Sequence, residues 1–230
     1  MGRADQPSAN RFGGASLTKG MCPLSVPHSG HLILEPQWRL FCTDPQVPAG
    51  PYPDAVERVL LDQIILTDYG QFDLVWGQNG GFDGNFAHFF SGQVNGLVGA
   101  SEPDGAYVNI ARRSGGSPVR IVLMDTPPTG DVGSWEDVVE VSFILPEANE
   151  MKWYTWAGES WGLLGGLPAG SYRLRVSAKG RDEGHAGEFS EHPVDAYLLQ
   201  MWPAPPHPDA VLLTGSEDAS YWHREIGHRR

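Results

Sequence analysis

The sequence predicts an all-β protein: an antiparallel two-sheet β-sandwich with at most one or two short helices. The 230 residues include 29 Gly and 19 Pro, and only 19% are charged. Such a composition supplies many turns and few exposed helix faces. Hydrophobic residues make up 40% of the chain, enough for a sizeable core. The chain shows neither an internal repeat nor the strand–helix alternation of parallel sheets, so an antiparallel sandwich is favoured.

Composition divides the chain into three parts. Residues 1–30 mix Gly, Ser, Ala and Pro without a hydrophobic period, so we expect a disordered N-terminal tail. Met21 is an alternative start. Residues 31–203 form the predicted sandwich domain. Residues 204–230 are predicted to be a proline-led C-terminal tail, because proline cannot donate to a β-ladder and the run 203–208 should end the sheet.

The first elements are predicted to be a strand, a helix and two strands. Apolar residues alternate with polar ones over 32–40, although Pro36 argues for an edge or a bulge there. Asp54–Gln63 is the best helix candidate, with Asp54 as its N-cap. Strands follow at Ile64–Tyr69 and Gln71–Trp76.

A glycine-rich loop and a hairpin are predicted next. Gly77–Asn85 is a loop by composition, and Phe86–Phe90 is expected to form one helical turn. After a turn at residues 102–105, Ala106–Arg112 alternates as a strand. A Gly-Ser segment then closes the predicted hairpin to the strand Val119–Met124.

The last third of the sandwich reads most clearly as strands. Val139–Leu145 alternates, and Met151–Trp156 is aromatic-rich. Ser171–Ala178 has the best alternation: Leu174 faces inward, whereas Arg173 and Arg175 face outward and are expected to pair with carboxylates such as that of Glu140. Asp195–Trp202 is apolar on both faces and is predicted to be a central strand.

The charge balance favours a basic partner. The formal net charge is −12, but residues 31–222 alone hold 10 basic and 26 acidic residues, a net of −16. Such a body repels nucleic-acid phosphates, although solubility alone would also explain it. The predicted partner-binding residues lie in two turn segments where carboxylates can project: Trp135, Glu136 and Asp137, and Asp182 and Glu183.

Other features set the expected compartment and exclude common sites. The cysteines, Cys22 and Cys42, are too few for a disulfide framework. The start lacks a signal-peptide core and no apolar run would span a bilayer, so a cytoplasmic protein without membrane contact is expected. No cofactor motif such as a Walker loop is found.

Two motifs resemble catalytic or metal sites but are better explained as loops. Gly158–Gly162 matches G-x-S-x-G, a pattern that works only between a strand and a helix. The residues that follow are rich in Gly and Pro and predict a hairpin instead. His185, Glu188, Glu191 and His192 are potential metal ligands, but zincin motifs need a helix, and this stretch predicts a solvated loop. No catalytic residue or metal ligand is therefore assigned, although a weak ion site on that loop stays open.

Several segments together resemble known proteins. Residues 135–137, Leu167–Tyr172 and Tyr197–Pro203 resemble a family of proteins from high-GC bacteria. The order of elements over residues 31–203 also resembles competence protein J, the inhibitor of a DNA-entry nuclease. The long segment 82–101 and both tails depart from that pattern. The resemblance implies a non-enzymatic, acidic, partner-binding protein and assigns no individual residue.

Three functions follow from these observations. The first is a non-enzymatic interaction protein, an inhibitor or immunity-type partner of a basic protein such as a nuclease. The second is a small-ligand or carbohydrate-binding module that uses the loop Gly77–Phe90 and exposed aromatic residues; Trp135 and Trp161 are the tryptophans expected at the surface. The third, an enzyme with a dispersed site near residues 185–192, ranks last.

Overall fold

The computed structural model describes residues 57–147 and 149–227, which form two β-sheets and three short helices. The first sheet has the strand order β1-β5-β10-β9-β6-β11, and the second has the order β3-β4-β2-β7-β8. The strands are β1 (Glu57–Asp68), β2 (Gln71–Val75), β3 (Val98–Gly99), β4 (Gly105–Asn109), β5 (Ser114–Met124), β6 (Asp137–Leu145), β7 (Met151–Thr155), β8 (Trp161–Leu164), β9 (Gly170–Lys179), β10 (Ala196–Pro203) and β11 (Ala210–Leu213). The helices are α1 (Phe86–Phe89), α2 (Arg181–Ala186) and α3 (Glu217–Glu225).

The inner faces of the two sheets share one hydrophobic core, which confirms the predicted sandwich. Leu174 and Val176 of the first sheet belong to the same buried cluster as Phe72 and Leu74 of the second. All four side chains are less than 5% exposed. Alternate residues of each strand point into this core, as the period of two requires. The alternation of β9 therefore gave its inward face correctly.

One strand pair departs from the predicted antiparallel arrangement. β10 pairs with β9 antiparallel but with β5 parallel, with Tyr197 opposite Val119 and Met201 opposite Leu123. β10 therefore lies inside the first sheet, which explains why both of its faces are largely buried. The prediction of a central strand here is confirmed, while the purely antiparallel sheet is corrected in this one place.

The predicted helix at Asp54–Gln63 is wrong where the structure describes it. Residues 57–68 form β1, which pairs with β5 from Glu57 opposite Met124 to Asp68 opposite Ser114. The helix-compatible composition of the segment is overridden by this pairing, which satisfies the side of the edge strand β1 that faces β5, apart from a register shift between Val59 and Leu61. Asp54 lies outside the described residues, as do the predicted tail 1–30, the strand over 32–40 and both cysteines.

The predicted hairpin between Ala106–Arg112 and Val119–Met124 is also wrong. β4 belongs to the second sheet and β5 to the first, so the chain crosses between sheets at residues 110–113. Arg112 fills this crossing: its guanidinium is 2% exposed and donates to the carbonyl oxygens of Ser114, Gly116, Ser190 and His192. The buried Arg112 cation is thus surrounded by backbone acceptors. Because two of these acceptors belong to Ser190 and His192, the arginine attaches the loop 187–193 to the crossing.

The segment predicted as a C-terminal tail is folded onto the sandwich. β11 pairs with β6, with Ala210 opposite Glu140, and so extends the first sheet beyond the proline run. Helix α3 follows, capped by Ser216, whose Oγ accepts from the Ala219 N–H at 3.0 Å. Ala219 and Ile226 are buried. The sandwich therefore extends at least to residue 227. The proline-rich run 203–208 does not end the first sheet but connects β10 to β11.

Aromatic residues of the segment 82–101 cover part of the outer face of the second sheet. Phe82 stacks on Tyr107 with ring centroids 4.1 Å apart, and Phe89, Phe90 and Ile226 complete this cluster. The predicted single helical turn at Phe86–Phe90 is confirmed as α1. No helix within residues 57–147 and 149–227 is long and apolar enough to cross a bilayer.

Candidate functional site

The structure brings the two predicted partner-binding segments together at one end of the sandwich. Glu136 precedes β6, and its carboxylate accepts from the N–H of Gly180 at 2.7 Å. Gly180 in turn begins the helix α2 that carries Asp182 and Glu183. The carboxylates of Glu136, Asp182, Glu183 and Glu217 are all exposed here. We call these four residues the acidic end.

A cavity of about 330 Å³ opens within the acidic end. Glu136 and Glu183 lie at its wall together with Lys179, and the buried Asp195 closes it. The Asp195 carboxylate accepts from Ser117 Oγ at 2.6 Å and from the Tyr197 hydroxyl at 3.0 Å. Burial raises the pKa of Asp195, and these two hydrogen bonds oppose the rise. The cavity thus has the exposed carboxylates of Glu136 and Glu183 at its wall. The buried carboxylate of Asp195 is fixed by its two hydrogen bonds.

Asp137 does not project from a turn, and the prediction that it contacts a partner is corrected. Its side chain is fully buried and accepts from Gly215 N–H at 2.9 Å, Ser216 N–H at 3.2 Å and Ser216 Oγ at 2.6 Å. These donors precede helix α3. The sequence pattern places Asp137 at the start of a strand. It does not show the burial of this side chain, because the covering residues 215 and 216 lie in the segment that was predicted to be a tail.

Asp182 is exposed as predicted but is also engaged within the protein. Its two carboxylate oxygens accept from the N–H groups of Glu217 at 3.0 Å and Asp218 at 2.8 Å. These are otherwise unsatisfied donors of the first turn of α3, so the carboxylate stabilises that helix terminus. Glu183 and Glu217, and Glu136 through the oxygen that does not accept from Gly180, are therefore the carboxylates best able to contact another molecule.

Trp135 is half-buried beside Glu136. The backbone N–H of Trp135 donates to the carbonyl of Val132 at 3.0 Å, and the residue caps a short 3-10 helix, Val132–Ser134. The N–H of Glu136 donates to the carbonyl of Ala178 at 3.1 Å, which joins this turn to β9. The backbone of the tryptophan is thus fixed next to Glu136, and its side chain is partly covered. Of the two tryptophans expected at the surface, Trp161 is exposed and Trp135 is half-buried.

A buried ion pair beneath the acidic end was not predicted. Asp218 Oδ2 accepts from Arg181 Nε at 3.0 Å and from Nη2 at 2.5 Å. Arg181 Nη1 donates to the carbonyl of Asn109 at 2.7 Å. These contacts join α2, α3 and the second sheet. The sequence shows Arg181 only as one member of a basic series, because its partner lies in the presumed tail.

The outward arginines of β9 pair with Glu140 as predicted, but one of them is buried. Glu140 accepts from Arg173 at 2.9 Å and from Arg175 at 2.9 Å. Arg173 is only 5% exposed and also donates to the carbonyl oxygens of His207 and Pro208. The returning C-terminal segment covers it. These two cations are consequently engaged away from the acidic end.

The catalytic-like motif lies in a hairpin loop. Ser160 is part of the β7–β8 hairpin, where its N–H donates to Thr155 Oγ1 at 3.0 Å and its carbonyl accepts from Thr155 N–H at 2.9 Å. This confirms the hairpin.

The predicted loop that carries the metal-like residues begins instead as helix α2, which includes His185. The N–H groups of Gly184 and Gly187 donate to the carbonyl oxygens of Gly180 and Glu183 and close this short helix despite its glycines. His185 and His192 are both exposed. In the part of the chain that the structure describes, no group of three or more His, Cys, Asp or Glu is arranged to hold a metal ion.

A single buried carboxylate stands out on the second sheet. Asp73 points to the outer face of β2 but is 2% exposed, because the segment 82–101, which we call the aromatic loop, lies over it. Asp73 Oδ2 accepts from Gln71 Nε2 at 2.6 Å and from Phe82 N–H at 3.2 Å, whereas Oδ1 is buried without a hydrogen-bond partner. Burial raises the pKa of Asp73 to about 6, against the lowering effect of both hydrogen bonds. The sequence gives no sign of this group.

Comparison with known proteins gives little more. No family model matches the sequence, and no curated protein matches it. One solved structure, named crocagin biosynthetic gene J, is similar at 16% identity with a TM-score of 0.40; the match covers 65% of this chain and 99% of that chain. A likeness of this size does not establish a shared function.

Proposed function

We propose that this protein is a non-enzymatic, acidic protein-binding domain whose acidic end contacts a basic protein, in the manner of an inhibitor or immunity-type partner of a nuclease. The observation that supports this proposal most is the exposure of Glu136, Glu183 and Glu217 at one end of the sandwich. The order of elements that resembles competence protein J points to the same class of function, although residues 57–63 form a strand in place of the helix expected in that order.

Electrostatics gives the acidic end a physical role in recognition. Carboxylates that lie close together at one surface produce a negative potential that speeds encounter with a positively charged protein. Arg173 and Arg175 pair with Glu140, and Arg181 pairs with the buried Asp218. Their charges therefore offset little of the field from Glu136 and Glu183. Lys179 at the cavity wall offsets part of it, and two exposed carboxylates stand there against one ammonium group.

The cavity at the acidic end suits the end of a basic side chain. Glu136 and Glu183 at its wall would accept hydrogen bonds from a guanidinium or ammonium group, which are strengthened by charge. Trp135 beside them would supply the apolar contact that binding hot spots commonly contain. Because β6, β9 and α2 hold these groups, little ordering would be needed on binding.

Affinity capture with matched variants tests the proposal. The wild-type protein and the variant Glu136→Lys/Glu183→Lys would be immobilised side by side and exposed to the same native lysate at low and high salt. The control variant is Asp125→Lys/Glu147→Lys, which changes the net charge equally using exposed residues that follow β5 and β6 at the opposite end of the first sheet.

The expected result is a basic protein retained by the wild type and the control at low salt and lost from the acidic-end variant. Equal retention by all three proteins, or capture of an acidic protein only, would contradict the proposal.

A further inference from the structure

The outer face of the second sheet is covered on one side only. The aromatic loop and α3 cover β4, where Tyr107 is 2% exposed. On the other side, β7 and β8 present Trp161, which is 60% exposed, and Leu163, which is 48% exposed. In the described part of the chain no element covers these residues. Among the described residues, this half of the face is therefore an open surface carried by two paired strands.

Trp161 and Tyr154 form an aromatic platform on this open surface. They are opposite each other in the β7–β8 register, with ring centroids 6.2 Å apart and planes inclined by 20°. Each ring is carried by a strand, and Gly162 between the outward residues makes room for the Trp153 indole beneath. Because the strands fix this stacked pair, the exposed Trp161 ring offers an aromatic contact area that is ordered before binding.

A polar cavity of about 590 Å³ adjoins the platform and shares Tyr154 with it. This volume is in the range of small-molecule sites. Its wall includes the side chains of Gln78, Asn79, Asn149, Glu150 and Lys152. Within the described residues none of these five side chains donates to or accepts from another protein group. They are free to bond with something else.

The combination of rings and amides indicates the chemistry of a ligand. The faces of Trp161 and Tyr154 suit a flat surface of C–H groups, which carries no net charge. Amides both donate and accept hydrogen bonds, as hydroxyl groups require. The carboxylates of Asp104 and Glu150 outnumber the ammonium group of Lys152 in this lining, which disfavours an anion. A neutral, polyhydroxylated molecule matches the amides without having to pair with a charge.

We propose that the platform of Trp161 and Tyr154 and the adjoining cavity form a binding site for a short neutral oligosaccharide. One sugar ring would stack on Trp161, and the next would reach the amides of Asn79 and Asn149. This site lies on the second sheet and does not involve the acidic end.

Calorimetric titration of the full chain tests the site with defined probes: the linear neutral hexasaccharides of glucose, xylose, mannose and N-acetylglucosamine. We expect at least one of them to bind and Trp161→Ala to weaken that binding by about tenfold or more. Asn149→Ala should weaken it as well, since it removes an amide of the cavity.

Trp156→Ala is the matched control, because Trp156 is 38% exposed on the same hairpin but contacts Tyr69 instead of Tyr154. It should bind like the wild type, as should Glu136→Lys/Glu183→Lys. Thermal melting would verify that each variant is folded. Absence of binding to all four probes, or unchanged affinity in folded Trp161→Ala, would overturn the proposal.

Discussion

Arg181 and Asp218 form an ion pair in which one carboxylate oxygen, Asp218 Oδ2, accepts from both Nε and Nη2 of the guanidinium. The side chains are only 1% and 5% exposed. The pair joins the first residue of α2 to helix α3, since Asp218 lies 37 residues after Arg181 in the chain. The C-terminal segment is thereby an integral part of the sandwich, and the acidic end depends on its position.

Removing one partner of this pair should be costly. Asp218→Ala would leave the Arg181 cation buried without its carboxylate, which typically destabilises a protein by about 3–5 kcal/mol. Glu217→Ala is the control, because Glu217 is the exposed neighbour and should change the free energy of unfolding by about 0.5 kcal/mol or less. Denaturant unfolding followed by fluorescence measures both. Equal effects of the two substitutions would show that the pair does not hold the helix.

Adjacent residues at the start of β6 should behave differently. Asp137→Ala would remove the acceptor of three donors in residues 215 and 216, and each buried donor left unsatisfied costs about 1–3 kcal/mol. Glu136→Ala loses one exposed hydrogen bond and should be nearly neutral. The thermal midpoint of each variant tests this contrast. A stable Asp137→Ala protein would mean that the C-terminal segment does not need this carboxylate.

The raised pKa of the buried Asp73 should be visible in the pH dependence of the free energy of unfolding. Its pKa is 3.8 in the unfolded chain and about 6 in the fold, so the folded state binds more protons between these values. Stability should therefore fall as the pH rises through this window, by up to about 3 kcal/mol. Asp73→Asn should remove that fall and be more stable than the wild type at pH 7.

Urea unfolding at several pH values measures the effect, with exposed Asp83→Asn as the control. If the free energy of unfolding of the wild type rose between pH 4 and pH 6 relative to that of Asp73→Asn, the raised pKa of Asp73 would be contradicted.

The fold was predictable where local pattern and burial agree. The alternation of β9 gave the inward face of Leu174, and the aromatic composition of Met151–Trp156 gave β7. The local hydrophobic pattern failed to predict secondary structure or burial where these depend on segments distant in the sequence. Residues 57–63 form a strand because β5 pairs with them, and Arg173 is buried because residues 207 and 208 return over it. Neither relation leaves a local signal.

The candidate site was predictable to a similar extent. Carboxylates at turns gave Glu136, Asp182 and Glu183 as exposed groups, which the structure places side by side. The burial of Asp137 and the pair formed by Arg181 were missed, since both depend on the C-terminal helix. Proline at 203–208 ended the predicted sheet, although a proline-rich link does not prevent a later strand from pairing.

Neighbouring residues of β9 should be comparably sensitive to truncation. Leu174→Ala empties a fully buried site and should cost about 2–5 kcal/mol. Arg173→Ala removes a buried donor from Glu140 and from the carbonyl oxygens of residues 207 and 208, although Arg175 still donates to Glu140 and Ser142 to His207. It should therefore also cost about 2 kcal/mol. Chemical denaturation of both variants tests this. A neutral Arg173→Ala substitution would show that the segment after β10 packs loosely on β9.

The dependence of the association rate on ionic strength tests the central claim most directly. The captured basic partner would be mixed with the wild type, with Glu136→Lys/Glu183→Lys and with the control Asp125→Lys/Glu147→Lys in stopped-flow experiments. Salt screens exposed charges beyond about 8 Å at physiological ionic strength. We predict a steep fall in the wild-type and control rates as salt rises, and a slow rate with a much weaker salt dependence for the acidic-end variant. Rates that are indifferent to salt, or equal for all three proteins, would contradict recognition through the acidic end.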